Sequence, residues 1–120
     1  MSEAINLIDK LSKFNDFWSP RVIAQMNDYQ VKLAKFSGEF TWHDHSDTDE
    51  LFLVVSGSMR IELRDGGVEL NEGDLYVVPK GVEHKPVAES ECHVLLIEPK
   101  GVVNTGESDS DLKAENNVWV

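Results

Sequence analysis

Downstream of Ser19-Pro20 the chain breaks into short apolar or alternating runs punctuated by turn residues, and this cadence restricts the fold more than any other feature. Side chains of a strand alternate between its two faces, so brief alternating segments at short intervals are the mark of a β-sandwich or barrel. The expected strands are 21–26, 29–37, 40–45, 50–55, 59–63, 68–70, 75–79, 84–88 and 92–98. Asn27-Asp28, Ser56-Gly57-Ser58, Asn71-Glu72-Gly73-Asp74 and Lys80-Gly81 separate several of them. Asp65-Gly66, between Ile61, Leu63 and Val68, Leu70, is the clearest hairpin, because both residues tolerate the positive φ of a tight turn.

The two ends read differently. Ile5, Ile8, Leu11 and Phe14 recur near the helical period and predict a helix over 3–15, with Ser2 as its N-cap. Ser19-Pro20 ends that pattern, since proline disfavours helical geometry in the residue before it. Beyond Pro99 the chain is polar and acidic, with Glu107, Asp109, Asp111 and Glu115, yet it closes on Val118-Trp119-Val120, which wants cover from the barrel or a second subunit. At 120 residues one domain is expected, divided as a helical extension (1–20), a barrel (21–99) and an acidic tail (100–120).

Charge and cysteine content narrow the partners. Twenty-two acidic against 11 basic residues leave a net charge of -11, whose field repels nucleic acid and anionic lipid. The apolar runs Leu51–Val55 and Val94–Ile97 are far shorter than the roughly 20 residues that span a bilayer. Met1-Ser2-Glu3-Ala4 opens no secretory pattern, so a cytoplasmic location is expected. Cys92 is the only cysteine, which excludes an internal disulfide and reads as a small buried filler.

Three of the four histidines form one constellation. His43 and His45 are two residues apart and can emerge on one strand face; Glu50 opens the next strand; His84 follows the Pro79-Lys80-Gly81 turn. Three imidazoles and a carboxylate suit divalent Mn, Fe, Co, Ni, Cu or Zn and are too rich in nitrogen for calcium or magnesium. Ordinary surface polarity is the alternative for any one histidine, and the joint spacing weighs against it. With His43 and His45 inward, Thr41 shares their face while Phe40 and Trp42 point away; Phe52, Val54, Pro86 and Ala88 should line the interior.

These residues resemble the cupin family. Gly38, His43, His45, Glu50 and Gly57 are similar to its first motif, and Gly73, Pro79, Gly81 and His84 to its second, with 58–72 as a short connection typical of compact bacterial members. Gly38 stands one residue closer to His43 than is usual, and Ala88 takes a place where asparagine is common; neither change removes a ligand. The resemblance implies an all-β double-stranded β-helix, or jelly roll, around one metal with a small-molecule mouth, and a homodimer. It also implies related activities: a sugar-phosphate isomerase of the mannose-6-phosphate type, an iron-dependent dioxygenase, or a metal-binding sensor without turnover. An isomerase of phosphosugars would want cations at the mouth, for which only Lys80, Lys85 and Arg60 offer themselves. Tyr76 and His93 are the weak candidates for proton transfer, with Glu83 behind them; each is also readable as structural. Arg60, Glu62 and Arg64 read as the solvated face of a strand, and Asp44, Asp47 and Asp49 as a solvated acidic loop.

Overall fold

The computed structural model describes residues 3–106, 108 and 110–120. Ser2, the expected helix cap, lies outside the described residues, as do Glu107 and Asp109 of the tail. One helix, α1 (Leu7–Leu11), precedes seven strands: β1 (Arg21–Met26), β2 (Tyr29–Glu39), β3 (Glu50–Ser56), β4 (Ser58–Leu63), β5 (Gly66–Asn71), β6 (Leu75–Val78) and β7 (His84–Pro99). The helix is much shorter than the predicted 3–15. Its cap is Asn6, whose side chain accepts from the Asp9 amide, so Ile5 falls before the helix and Phe14 after it. Both apolar positions that suggested a longer helix are therefore non-helical, and only Phe14 of the two is buried.

All pairings among these seven strands are antiparallel. Within one seven-stranded sheet the order runs β1-β2-β7-β3-β6, and β4 joins β5 to the start of β7. β7 replaces the two predicted strands 84–88 and 92–98 by one 16-residue strand. Its first part pairs with β4, its second with β3, and β2 runs beside both, which curls the sheet into a barrel. The predicted strand 40–45 is absent: only His43 forms a bridge, to His84. The β2–β7 ladder shifts register at a bulge between Phe36 and Gly38 and resumes with Gly38 opposite Ala88; Gly38 takes φ +84°, a value glycine adopts without steric penalty. The β4–β5 hairpin turns at Arg64-Asp65, with Gly66 paired to Leu63, one residue earlier than the Asp65-Gly66 reading.

Alternation sets the interior. Ala34 and Phe36 of β2, Phe52 and Val54 of β3, Met59 and Ile61 of β4, and Cys92, Val94 and Leu96 of β7 form the main core. Fully buried members such as Phe52 and Ile61 contribute roughly 1.5–3 kcal/mol each through apolar burial. A second core lies outside the barrel, where Leu11 and Phe14 pack on Ile23 and Leu33, with Val120 against them. The chain end lies along β1: the Val22 amide donates to Val118 O at 2.7 Å, and the Val120 amide to Val22 O at 3.2 Å. Trp119 nevertheless remains half exposed. No described helix is long and apolar enough to cross a membrane.

Candidate metal centre

His43, His45, Glu50 and His84 converge at one end of the barrel interior, all buried, with one potential ligand atom from each lying within 4.8 Å of the others. Four different local features bring them there. His43 is fixed by reciprocal backbone bonds with His84, N to O at 3.0 and 2.9 Å. His45 is held by the Gly81 amide, which donates to its carbonyl at 2.8 Å. Glu50 opens β3 opposite Val78, and His84 opens β7.

The imidazoles are oriented from behind. His43 Nδ1 donates to Thr41 O and His84 Nδ1 to Val82 O, each at 3.0 Å. That tautomer leaves both Nε2 lone pairs facing inward, the arrangement by which a backbone carbonyl orients a ligating histidine. Glu50 Oε1 stands 3.3 Å from both His45 Nε2 and His84 Nε2. His45 Nε2 is buried and lacks a hydrogen bond despite that 3.3 Å approach. A cation at the centre would satisfy that orphaned atom, and the donor atoms lie close enough together to reach one ion through bonds of roughly the usual 2.0–2.2 Å after a small contraction. The residues present therefore fit a divalent transition metal.

Electrostatics agree. Burial, reinforced by His84, pushes the His43 pKa down to about 4, so the ring is neutral and free to ligate. Burial works to raise Glu50, but the contacts with His45 and His84 outweigh it and hold the carboxyl well below the usual range. A second buried carboxyl lies beside it. Burial and Glu50 together raise Glu98 well above an ordinary carboxylate, while Lys32 Nζ, 3.7 Å away, opposes them.

The cluster opens onto a cavity of about 20 Å³ whose walls include Trp18, Phe36, Phe40, Phe52 and Leu96 beside His43, Glu50 and Glu98. Phe40 was expected to face away. It instead packs inward, its ring edge-on to His43 at 5.2 Å, because 40–45 lacks the alternation of a true strand. Phe52, Val54, Pro86 and Ala88 are buried on the inward faces of their strands.

The proton-transfer candidates do not reach this cavity. Tyr76 faces inward opposite Phe52 but packs on the main core, away from the cavity wall. His93 lies on the outer face of β7, out of phase with buried Cys92 and Val94, and bonds Glu91 Oε2 at 2.6 Å. Glu83 pairs with Arg64 at 3.2 Å. Cys92 is fully buried, and burial pushes its thiol up to about 11. Of the expected mouth cations, Lys85 pairs with Glu39, Arg60 with Glu62 and Glu69, and Lys80 is exposed; none lines the cavity.

Several buried or cavity-lining residues escaped the sequence reading. Gln30, Lys32 and Glu98 occupy inward positions of β2 and β7, in phase with Ala34, Phe36, Val94 and Leu96. A charge in the apolar phase of a strand was the available signal. Trp18, Asn104 and Thr105 had none, since they belong to no periodic element.

A sequence profile described as the cupin domain matches residues 30–98. The chain is 36% identical over 86 residues to the uncharacterized protein YdbB of Bacillus subtilis, covering 71% of this chain and 76% of that one. It is 29% identical over 116 residues to a 3-hydroxyanthranilate 3,4-dioxygenase of Meyerozyma guilliermondii, covering 85% of this chain and 66% of that enzyme. Among solved structures, a cupin-2 domain containing protein from Shewanella frigidimarina superposes with a TM-score of 0.79 at 58% identity, covering 80% of this chain and 94% of that one.

Proposed function

Because this chain belongs to the cupin-domain family, we propose that it is a metal-dependent enzyme of the dioxygenase type. In this reading His43, His45, Glu50 and His84 hold one divalent metal, iron for this activity, and the substrate is small and largely apolar. The observation that carries the reading is the direct opening of the histidine–carboxylate cluster onto a wall of Phe36, Phe40, Phe52 and Leu96. When bound, iron would supply the redox chemistry with molecular oxygen, both atoms of which enter the substrate so that no separate reductant is consumed. The chain's own residues supply the rest. Thr41 and Val82 carbonyls hold the tautomers of His43 and His84, the aromatic wall excludes water, and burial together with Glu50 favours the protonated form of the Glu98 carboxyl.

The kinship with a 3-hydroxyanthranilate 3,4-dioxygenase supports this over the isomerase of sugar phosphates. So does the wall: among the described residues lining the cavity there is neither lysine nor arginine to receive a phosphate. The test is metal analysis of tag-free protein followed by oxygen uptake with a panel of hydroxylated aromatic acids. Iron and substrate-dependent oxygen consumption are expected. Zinc or manganese with phosphosugar isomerisation, or bound metal with no turnover of any substrate, would replace the reading by the isomerase or the sensor.

A homodimer and a cytoplasmic site of action belong to the same proposal. The surfaces first expected to drive pairing are already partly covered, since Leu11, Phe14 and Val120 pack on the chain's own barrel. Another face supports pairing better. Leu53 stands between Leu75 and Leu95, and Leu51 between Val77 and Ile97, giving an aliphatic stripe across β6, β3 and β7 whose edge residues Leu75 and Val77 are 57% and 42% exposed. Two copies related by a two-fold axis would bring these uncharged stripes together without opposing like charges, which matters in a chain of net charge -11. Light scattering should report a dimer that Leu75→Lys splits; a monomeric wild type would refute it. Cell fractionation tests the location.

A further inference from the structure

Trp18 holds φ at +60°, a backbone conformation that a bulky side chain seldom adopts. Its amide donates to Lys35 O at 2.8 Å, and its carbonyl accepts from Asn104 Nδ2 at 2.9 Å. So anchored, the residue sends its indole into the barrel, stacked on Phe36 with centroids 4.3 Å apart at 18° and on Phe40 at 4.8 Å and 22°. At the ring edge Nε1–H donates to Ser37 O at 3.0 Å.

The cavity beside the indole and the histidine–carboxylate cluster is about 20 Å³, room for a water-sized guest. Pockets for organic ligands usually measure some 300–1,000 Å³. An organic molecule therefore enters this cavity, on the His43 and Glu50 side of the cluster, only by displacing part of the wall. Phe36, Phe52 and Leu96 are fixed in the ladders of β2, β3 and β7. Trp18 and Phe40 lie outside helix and ladder; Phe40 donates its amide to Pro86 O and packs edge-on against His43, whereas rotation of the Trp18 side chain would vacate its slot without breaking either backbone anchor.

We propose that the slot filled by the Trp18 indole is a binding site for a planar aromatic ring bearing an N–H or O–H donor on its edge, with Trp18 as the displaceable internal occupant. Phe36 and Phe40 supply the flat apolar faces, and Ser37 O takes the edge donor now satisfied by Nε1–H. The inference rests on reading this cavity as the substrate pocket, but not on which metal, if any, the cluster holds. An internal occupant lowers the apparent affinity of an external ring by the fraction of time the slot is open.

Indole itself is the probe, titrated into ¹⁵N-labelled, metal-free protein while the Trp18 Nε1–H resonance is followed, with Trp42 and Trp119 as internal references. The expected result is a saturable shift confined to Trp18, as it exchanges Ser37 O for solvent. Calorimetry should show Trp18→Ala binding indole at least tenfold more tightly than wild type, and Asn104→Ala, which releases the carbonyl anchor, also more tightly. Should Trp18→Ala not fold, Trp18→Leu carries the same comparison. A wild-type Trp18 resonance unmoved up to the solubility of indole, or variants binding no better than wild type, would make Trp18 a plain core residue and overturn the proposal. Metal content measured on the tag-free protein before the metal is removed distinguishes failure of the slot from failure of the metal assignment.

Discussion

His43 and His84 face each other across a single antiparallel bridge, exchanging both backbone hydrogen bonds, and their rings stand 4.2 Å apart by centroid. Two residues 41 positions apart in sequence are thus set in register by main-chain bonding, independently of any ion. The same strand pairings that form the barrel build the site. Glu50 and His84 are the first residues of β3 and β7 and need no loop to place them.

The buried Lys32–Glu98 pair offers a stability test. Both side chains are almost wholly buried, and Glu98 Oε2 has no hydrogen-bond partner. Removing one partner strands the other charge or polar group in the barrel, so Lys32→Met should cost about 3–5 kcal/mol, whereas Lys32→Met with Glu98→Leu should recover most of that loss. Urea unfolding of the four proteins in a double-mutant cycle measures the coupling; additive losses would mean that the pair is not coupled.

Acid stability of the metal-free protein carries opposing signatures. His43 has a native pKa of about 4 against 6.5 when unfolded, so between these values the unfolded chain binds the extra proton and stability falls as pH falls. The depressed Glu50 acts in the same direction below about 4.5. Glu98 is raised, so its contribution is present below 4.5 and is lost as pH rises from there. Between pH 4.5 and 6.5 Glu98 therefore opposes the His43 trend, and below 4.5 wild type should weaken. Glu98→Gln removes the opposing group and should gain stability over that interval by roughly 1.4 kcal/mol per pH unit, from one proton. Unfolding free energies measured by urea across pH 4 to 7 report it; parallel profiles for the two proteins would contradict the assignment.

The tail closes over His45 through a single glycine. Gly106 holds φ +59°, and a Cβ there would clash with Asp44 O and stand 3.3 Å from His45 Nδ1. Gly106→Ala should accordingly lift the tail while leaving the barrel folded, at a cost of about 1–3 kcal/mol. Limited proteolysis should show faster cleavage within 100–120 and a resistant remainder. Unchanged cleavage would mean that the tail adapts in place.

Much of the site was legible in the chain because strands reveal their inward face by alternation. Glu50 with Phe52 and Val54, and His84 with Pro86 and Ala88, followed that rule directly. Phe40 broke it, since 40–45 forms one bridge and no ladder, and alternation has meaning only within a ladder. The helix was overextended because Ile5 and Phe14 are apolar for reasons outside the helix, Phe14 serving the outer core. His93 could not be told from a pocket residue until β7 proved continuous, which puts it on the outer face. Trp18 was invisible: its place depends on a positive φ and on an anchor from Asn104, 86 residues away.

The most direct test is elemental analysis of tag-free wild type, His45→Ala and Glu50→Ala, each checked for folding by circular dichroism. The account predicts stoichiometric transition metal in the wild type and its loss in both variants. Metal retained at wild-type level by both folded variants would contradict the centre built from these four side chains.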